Sequence, residues 1–115
     1  MMSEIDLLKE FEKIEKRIAD AVEKNQDVTP ILHSKVRLLG LAHAKLADEM
    51  RNGRAKEIVP IFAKRMGLLN NMRELQLMIN EDTSETDAEI KKVETRMREL
   101  GFGWILDNLP QPTEN

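Results

Sequence analysis

Few side chains in this chain could carry chemistry, and most of them lie in its middle third. The two histidines, His33 and His43, are ten residues apart. On one helix that spacing puts them ~15 Å apart along the axis and ~80° apart around it, too far to share a metal ion within one chain. The Glu-x-x-His pairing of helical di-iron proteins is absent too, since the residues three before the histidines are Pro30 and Gly40. There is no cysteine and no tyrosine, so a thiolate ligand, a disulfide or a phenolic nucleophile is excluded. No phosphate-binding loop occurs, and Gly101-Phe102-Gly103 is too short, and wrongly placed after a helix, to hold a dinucleotide. These absences predict a protein with no cofactor, no metal and no catalytic residues.

A different pair is more suggestive. His43 fills the slot between Leu39 and Leu46 where a helical stripe of Leu32, Val36, Leu39, Leu46 and Met50 asks for hydrocarbon. Arg65 fills the same kind of slot between Ile61 and Leu68. If the two stretches form an antiparallel hairpin turning near residue 55, His43 lies level with about Leu68 and Arg65 lies a turn away, near Leu46. With Arg37 and Arg73 close by, His43 and Arg65 would make a small anion pocket. The structural alternatives are a neutral, hydrogen-bonded His43 with Arg65 snorkelling to the edge, or a polar pair that sets register or oligomeric state.

Charge is unevenly spread. Residues 1–29 carry five basic and eight acidic side chains, residues 30–79 nine and four, residues 80–115 four and nine. A basic middle between acidic flanks is either neutralised by helix packing or forms an anion-binding surface. Arg51, Arg54 and Lys56 form a basic surface just where a helix should end, which suits the negative end of its dipole. A helix-turn-helix over residues 47–62 is disfavoured because Pro60 would fall in the recognition helix. The other contact candidate is apolar: Phe102, Trp104, Ile105 and Leu109 either fold back to plug the domain or anchor a partner.

The elements that must position these groups read as helices. Leu, Ile, Ala and Met dominate the apolar residues and aromatics are only 3%, a mix that favours helix over sheet. Ser3 with Asp6 resembles a capping box opening a helix to about residue 24, with Leu7, Phe11, Ile14, Ile18 and Ala21 or Val22 as its stripe. Asn25-Gln26-Asp27 breaks it. Thr29-Pro30 starts the second helix, with Thr29 as cap and Pro30 in the first helical position, and Asn52-Gly53 ends it. Pro60 marks the first turn of a third helix, whose stripe is Ile61, Leu68, Met72, Leu75 and Ile79 and which reaches about Asn80. A polar loop from Glu81 leads to Thr86 and Glu89 as the capping box of a fourth, with Ile90, Val93, Met97 and Leu100 on one face and Gly101 as the stop. Gly40, Ala44 and Ala47 leave room for a close neighbour, whereas Leu38 and Leu41 flare off the main stripe.

The expected architecture is all-α: an antiparallel bundle of about four helices, or two helical hairpins, in one domain over residues 1–110, followed by a disordered tail at 111–115. So apolar a second helix predicts a homo-oligomer. No run approaches the ~18 apolar residues of a membrane span, and no signal sequence opens the chain, so a cytoplasmic location and no membrane contact are expected. The expected function is that of a small non-enzymatic interaction protein, an adaptor or inhibitor of another macromolecule. Small helical chains of this kind are common among phage and mobile-element accessory proteins, including counter-defence proteins, an association carried by no particular residue. The alternative is an anion binder that recognises nucleic acid or a nucleotide through residues 30–79.

Overall fold

The computed structural model describes residues 3–51 and 58–108. All regular structure among them is helical: α1 (Glu4–Glu23), α2 (Thr29–Arg51), α3 (Ile58–Met78), α4 (Ser84–Glu99) and a short α5 (Gly103–Asn108). Arg54, Lys56, Leu109 and the tail expected at 111–115 lie outside the described residues.

Helix ends follow from local chemistry. Ser3 and Asp6 close a reciprocal box, each side chain bonded to the other's backbone N–H at 3.2 and 3.1 Å. The second start differs from expectation. Asp27 accepts the Thr29 N–H at 3.0 Å and the Val28 carbonyl accepts from Leu32, so Thr29 is already helical and Pro30 is its second residue. The fourth helix also begins earlier than Thr86. Asp82 accepts from the Ser84 N–H at 3.0 Å and from its hydroxyl at 2.6 Å, which leaves Thr86 inside α4 and buried. Three helices end with a residue at positive φ, namely Asn25 (56°), Asn80 (58°) and Gly101 (85°). In each case the next residue bonds back five positions, Gln26 to Ala21, Glu81 to Gln76 and Phe102 to Met97, at 2.7–2.8 Å.

Packing runs along the chain: α1 on α2, α2 on α3, α3 on α4, α4 on α5. The two middle helices therefore carry two apolar faces each. On α2, Ile31 and Leu38 meet Leu7, Ile14 and Ala21 of α1, whereas Leu32, Val36 and Leu39 meet Leu75 and Leu68 of α3 and Ile79 just after it. Leu38, expected to flare off the stripe, is thus the α1-facing position, while Leu41 is exposed. On α3, Phe62, Met66 and Leu69 turn away from α2 to meet Val93 and Met97 of α4 with Ile105 and Leu106 of α5. Full burial of one such side chain is worth roughly 1.5–3 kcal/mol. A buried hydroxyl-to-amide bond, Thr86 Oγ1 to Gln76 Oε1 at 2.6 Å, also joins α3 to α4.

Because α4 packs on α3 and builds no extensive contact with α2, the sides of α2 and α4 that flank α3 stay apart. An open groove runs between them.

A charged groove between α2 and α4

The floor of the groove is the edge of α3 that lies between its α2-facing and α4-facing stripes. Stepping ~100° per residue puts Arg65 and Met72 on that edge. Gly40, Ala44, Ala47 and Arg51 project from α2 on one side, and Glu85, Glu89 and Arg96 from α4 on the other. Two hollows make up the groove and share His43 and Glu89. One, of about 860 Å³, is lined by Ala44, Ala47, Met50, Arg51, Arg65 and Arg96 among others. The other, of about 500 Å³, holds Gly40, Met72, Glu81, Asp82 and Glu85. Its two ends thus carry opposite charge.

His43 and Arg65 meet where the ends join. His43 is only 6% exposed, and its Nε2 accepts a hydrogen bond from Arg65 Nε at 3.2 Å. The accepting nitrogen carries no proton, so the ring is neutral with its hydrogen on Nδ1. Burial lowers the pKa of His43, the Arg65 charge lowers it further, and Glu89 partly opposes both. Arg65 also donates from Nη1 to Met50 Sδ at 3.2 Å and lies 6.0 Å from the centroid of the Phe62 ring. Burial disfavours its charge, Glu89 supports it and Arg51 opposes it, but a guanidinium stays protonated in proteins.

The other two members expected in this pocket are elsewhere. Arg37 is exposed and lines neither hollow. Arg73 faces α4 instead of the groove, and its Nε donates to Asp87 at 2.7 Å. The helical step explains both: each is ~80–120° around its helix from the histidine or arginine it was to join.

Two members of the basic middle are paired with acidic residues of neighbouring helices, Lys35 with Glu15 at 2.6 Å and Arg73 with Asp87 at 2.7 Å. His33 Nδ1 stands 2.7 Å from Glu81 Oε2, a buried oxygen that makes no hydrogen bond of good geometry. Arg37, Lys64 and Arg65 have no such pair among the described residues, and of these three Arg65 alone is partly buried. Of the described arginines only it and Arg73 are partly buried, and no described carboxylate comes within 4 Å of Arg65.

The apolar segment after α4 divides. Ile105 and Leu106 are buried against α3 and α4, and Phe102 packs beside them with its ring 6.2 Å from that of Phe62. Trp104 points outward and is 56% exposed. Sequence reasoning missed the acidic wall, Glu81, Asp82, Glu85 and Glu89. The spacing of Glu85, Glu89 and Arg96 at i, i+4 and i+11 on one helix face was the available signal.

No group of three or more histidine, aspartate or glutamate side chains among the described residues is placed to hold a metal ion. No helix among them is long and apolar enough to cross a membrane. The chain matches no protein-family model, no curated protein and no solved structure. The groove must be interpreted from its own geometry.

Proposed function

We propose that the protein is a non-enzymatic interaction module whose α2–α4 groove receives a helix from a protein partner. The observation that carries this reading is the groove's polarity combined with its narrow-residue wall. Gly40 and Ala44 keep side chains short on the α2 side, which lets a helix backbone come close. Arg51, Arg65 and Arg96 stand at one end, and Glu81, Asp82 and Glu85 at the other. Since α3 is antiparallel to both α2 and α4, a helix lying parallel to α3 would complete the unfinished side of the assembly. Its N-terminal turn would face the arginines and its C-terminal turn the carboxylates. An amphipathic helix with acidic residues first and basic residues last fits, and that is the charge order helix dipoles already favour.

A photo-crosslinking residue placed at Ala44, followed by exposure to nuclease-treated native cytosol, tests the proposal. The expected result is a discrete protein adduct that Gly40→Phe abolishes while the helical content is unchanged. An adduct of twice the chain's mass assigns the groove to a second copy, the homo-oligomer. Absence of any protein adduct, or an adduct indifferent to Gly40→Phe, overturns the proposal. The anion-binding alternative for nucleic acid is checked in the same material. Counterion release makes such binding collapse between low and moderate salt, whereas a docked helix with an apolar seam holds.

A further inference from the structure

We infer that the basic end of the groove is an oxyanion site, in which Arg65 holds a carboxylate or phosphate group and the wall of Ala47, Met50 and Ile58 accommodates the hydrocarbon attached to it. A guanidinium has five N–H donors. Arg65 spends one on His43 and one on Met50, so three remain. Those two bonds, with the Phe62 ring nearby, fix the plane of the group before any ligand arrives, and a fixed planar fork suits the bidentate geometry of carboxylates and phosphates.

Burial gives the second reason. Removing a cation from water without a counter-ion is costly, and among the described residues no carboxylate pairs with the half-buried Arg65, whereas Arg73 has Asp87. Glu89, the described carboxylate that influences both His43 and Arg65, stays beyond ion-pair reach of either. Arg51 and Arg96 rim the same hollow, and among the described residues their ion pairs are with Asp48 at 3.4 Å and Glu99 at 3.3 Å on the surface. Such exposed pairs are weak, so both side chains can turn inward. Three cations face one carboxylate there, in a hollow of about 860 Å³, within the range that holds small organic ligands. His43 is a positioning residue in this scheme: its bare Nε2 holds Arg65 and touches no ligand.

The site overlaps the end of the groove where the partner helix's acidic first turn is placed, so it deepens the helix-docking reading and rests on it, but small oxyanions test it without the helix. Phenyl phosphate, benzoate and inorganic phosphate are titrated separately into the full chain, followed by ¹H–¹⁵N NMR at the Arg65 Nε–H and the amides of Ala47 and Ile58. Saturable shifts at those positions are expected with phenyl phosphate or benzoate, and the tighter of the two identifies the group. Inorganic phosphate should bind at least about fivefold more weakly, and equal affinity overturns the role given to the apolar wall. Arg65→Met should weaken binding about tenfold or more, while Arg37→Gln changes nothing. The double variant Arg51→Gln/Arg96→Gln alters only exposed side chains and should cost about threefold, so the site stays testable if Arg65→Met fails to fold. Gly40→Phe, which blocks helix docking from the other hollow, should leave phenyl phosphate affinity intact, so failure of helix docking and failure of this site are told apart. No saturable binding by the parent chain, or full affinity in Arg65→Met or in the double variant, overturns the inference.

Discussion

At the scale of single residues, His43 and Arg65 behave as a unit, and their energetics should show it. Replacing His43 with Leu leaves the half-buried Arg65 Nε–H without an acceptor, a loss of about 1–2 kcal/mol. Replacing both, as His43→Leu/Arg65→Met, exchanges a polar pair for hydrocarbon and should return stability to the parent value or above it. Urea unfolding of the two single variants and the double closes the cycle. A pH dependence accompanies it. The folded pKa of His43 lies below its unfolded value of 6.5, so between the two values the unfolded chain binds more protons. The contribution of neutral His43 is complete above about pH 6.5 and is lost as pH falls through the folded pKa. Unfolding curves from pH 8 to 4 should show a loss of stability in that window that His43→Leu lacks. The interruption of two apolar stripes by His43 and Arg65 was legible in the sequence, because a period of three and four exposes any polar intruder. The helical step already set Arg37 and Arg73 about 80–120° away from the pair, but the carboxylate that draws Arg73 away, Asp87 on α4, could not be read before the helices were packed.

At the scale of helices, the sequence revealed the stripes that face one partner and hid those that face two. The α3 stripe of Ile61, Leu68 and Leu75, continued by Ile79 just past its end, is plain, but Phe62, Met66 and Leu69 lie on a second face. A helix apolar on two sides has no single periodic signal. Caps were missed for a related reason. Thr29 and Thr86 are good capping residues by type, yet Asp27 and Asp82 reach the free N–H groups two residues ahead from outside the helix. Their side chains are exposed, and those hydrogen bonds hold both carboxyls below the usual carboxylate range. Glycines give a direct test of element stability. Gly67 sits mid-helix in α3 at ordinary φ with open space where a Cβ would go, so Gly67→Ala should stabilise by about 0.5–1 kcal/mol. Gly101 ends α4 at φ +85°, and Gly101→Ala should cost about 1–2 kcal/mol. Thermal melts of the two variants should move in opposite directions.

At the scale of the molecule, helices pack on their neighbours in sequence without closing a ring, and this leaves the groove. Length and periodicity indicated an all-helical chain with short connections. They could not indicate that α2 and α4 would stand apart, because that depends on α4 turning Val93 and Met97 toward α3 and Glu85, Glu89 and Arg96 toward open space. The α5 turn seals the outer end of this half. Ending the chain at Gly101 removes Ile105 and Leu106 from contact with Phe62 and Met97 and should cost about 3–6 kcal/mol, measured as the urea midpoint of the shortened chain.

That late seal also orders events on the ribosome. The apolar side chains joining α1, α2 and α3 are all present once Ile79 has emerged, so this half can consolidate while synthesis continues. The other half has its floor early, in Phe62, Met66 and Leu69, but must wait for Ile105 and Leu106. A nascent chain therefore carries an uncovered greasy strip through the making of its last thirty or so residues, and a pause in translation just before α5 is where a chaperone would find it.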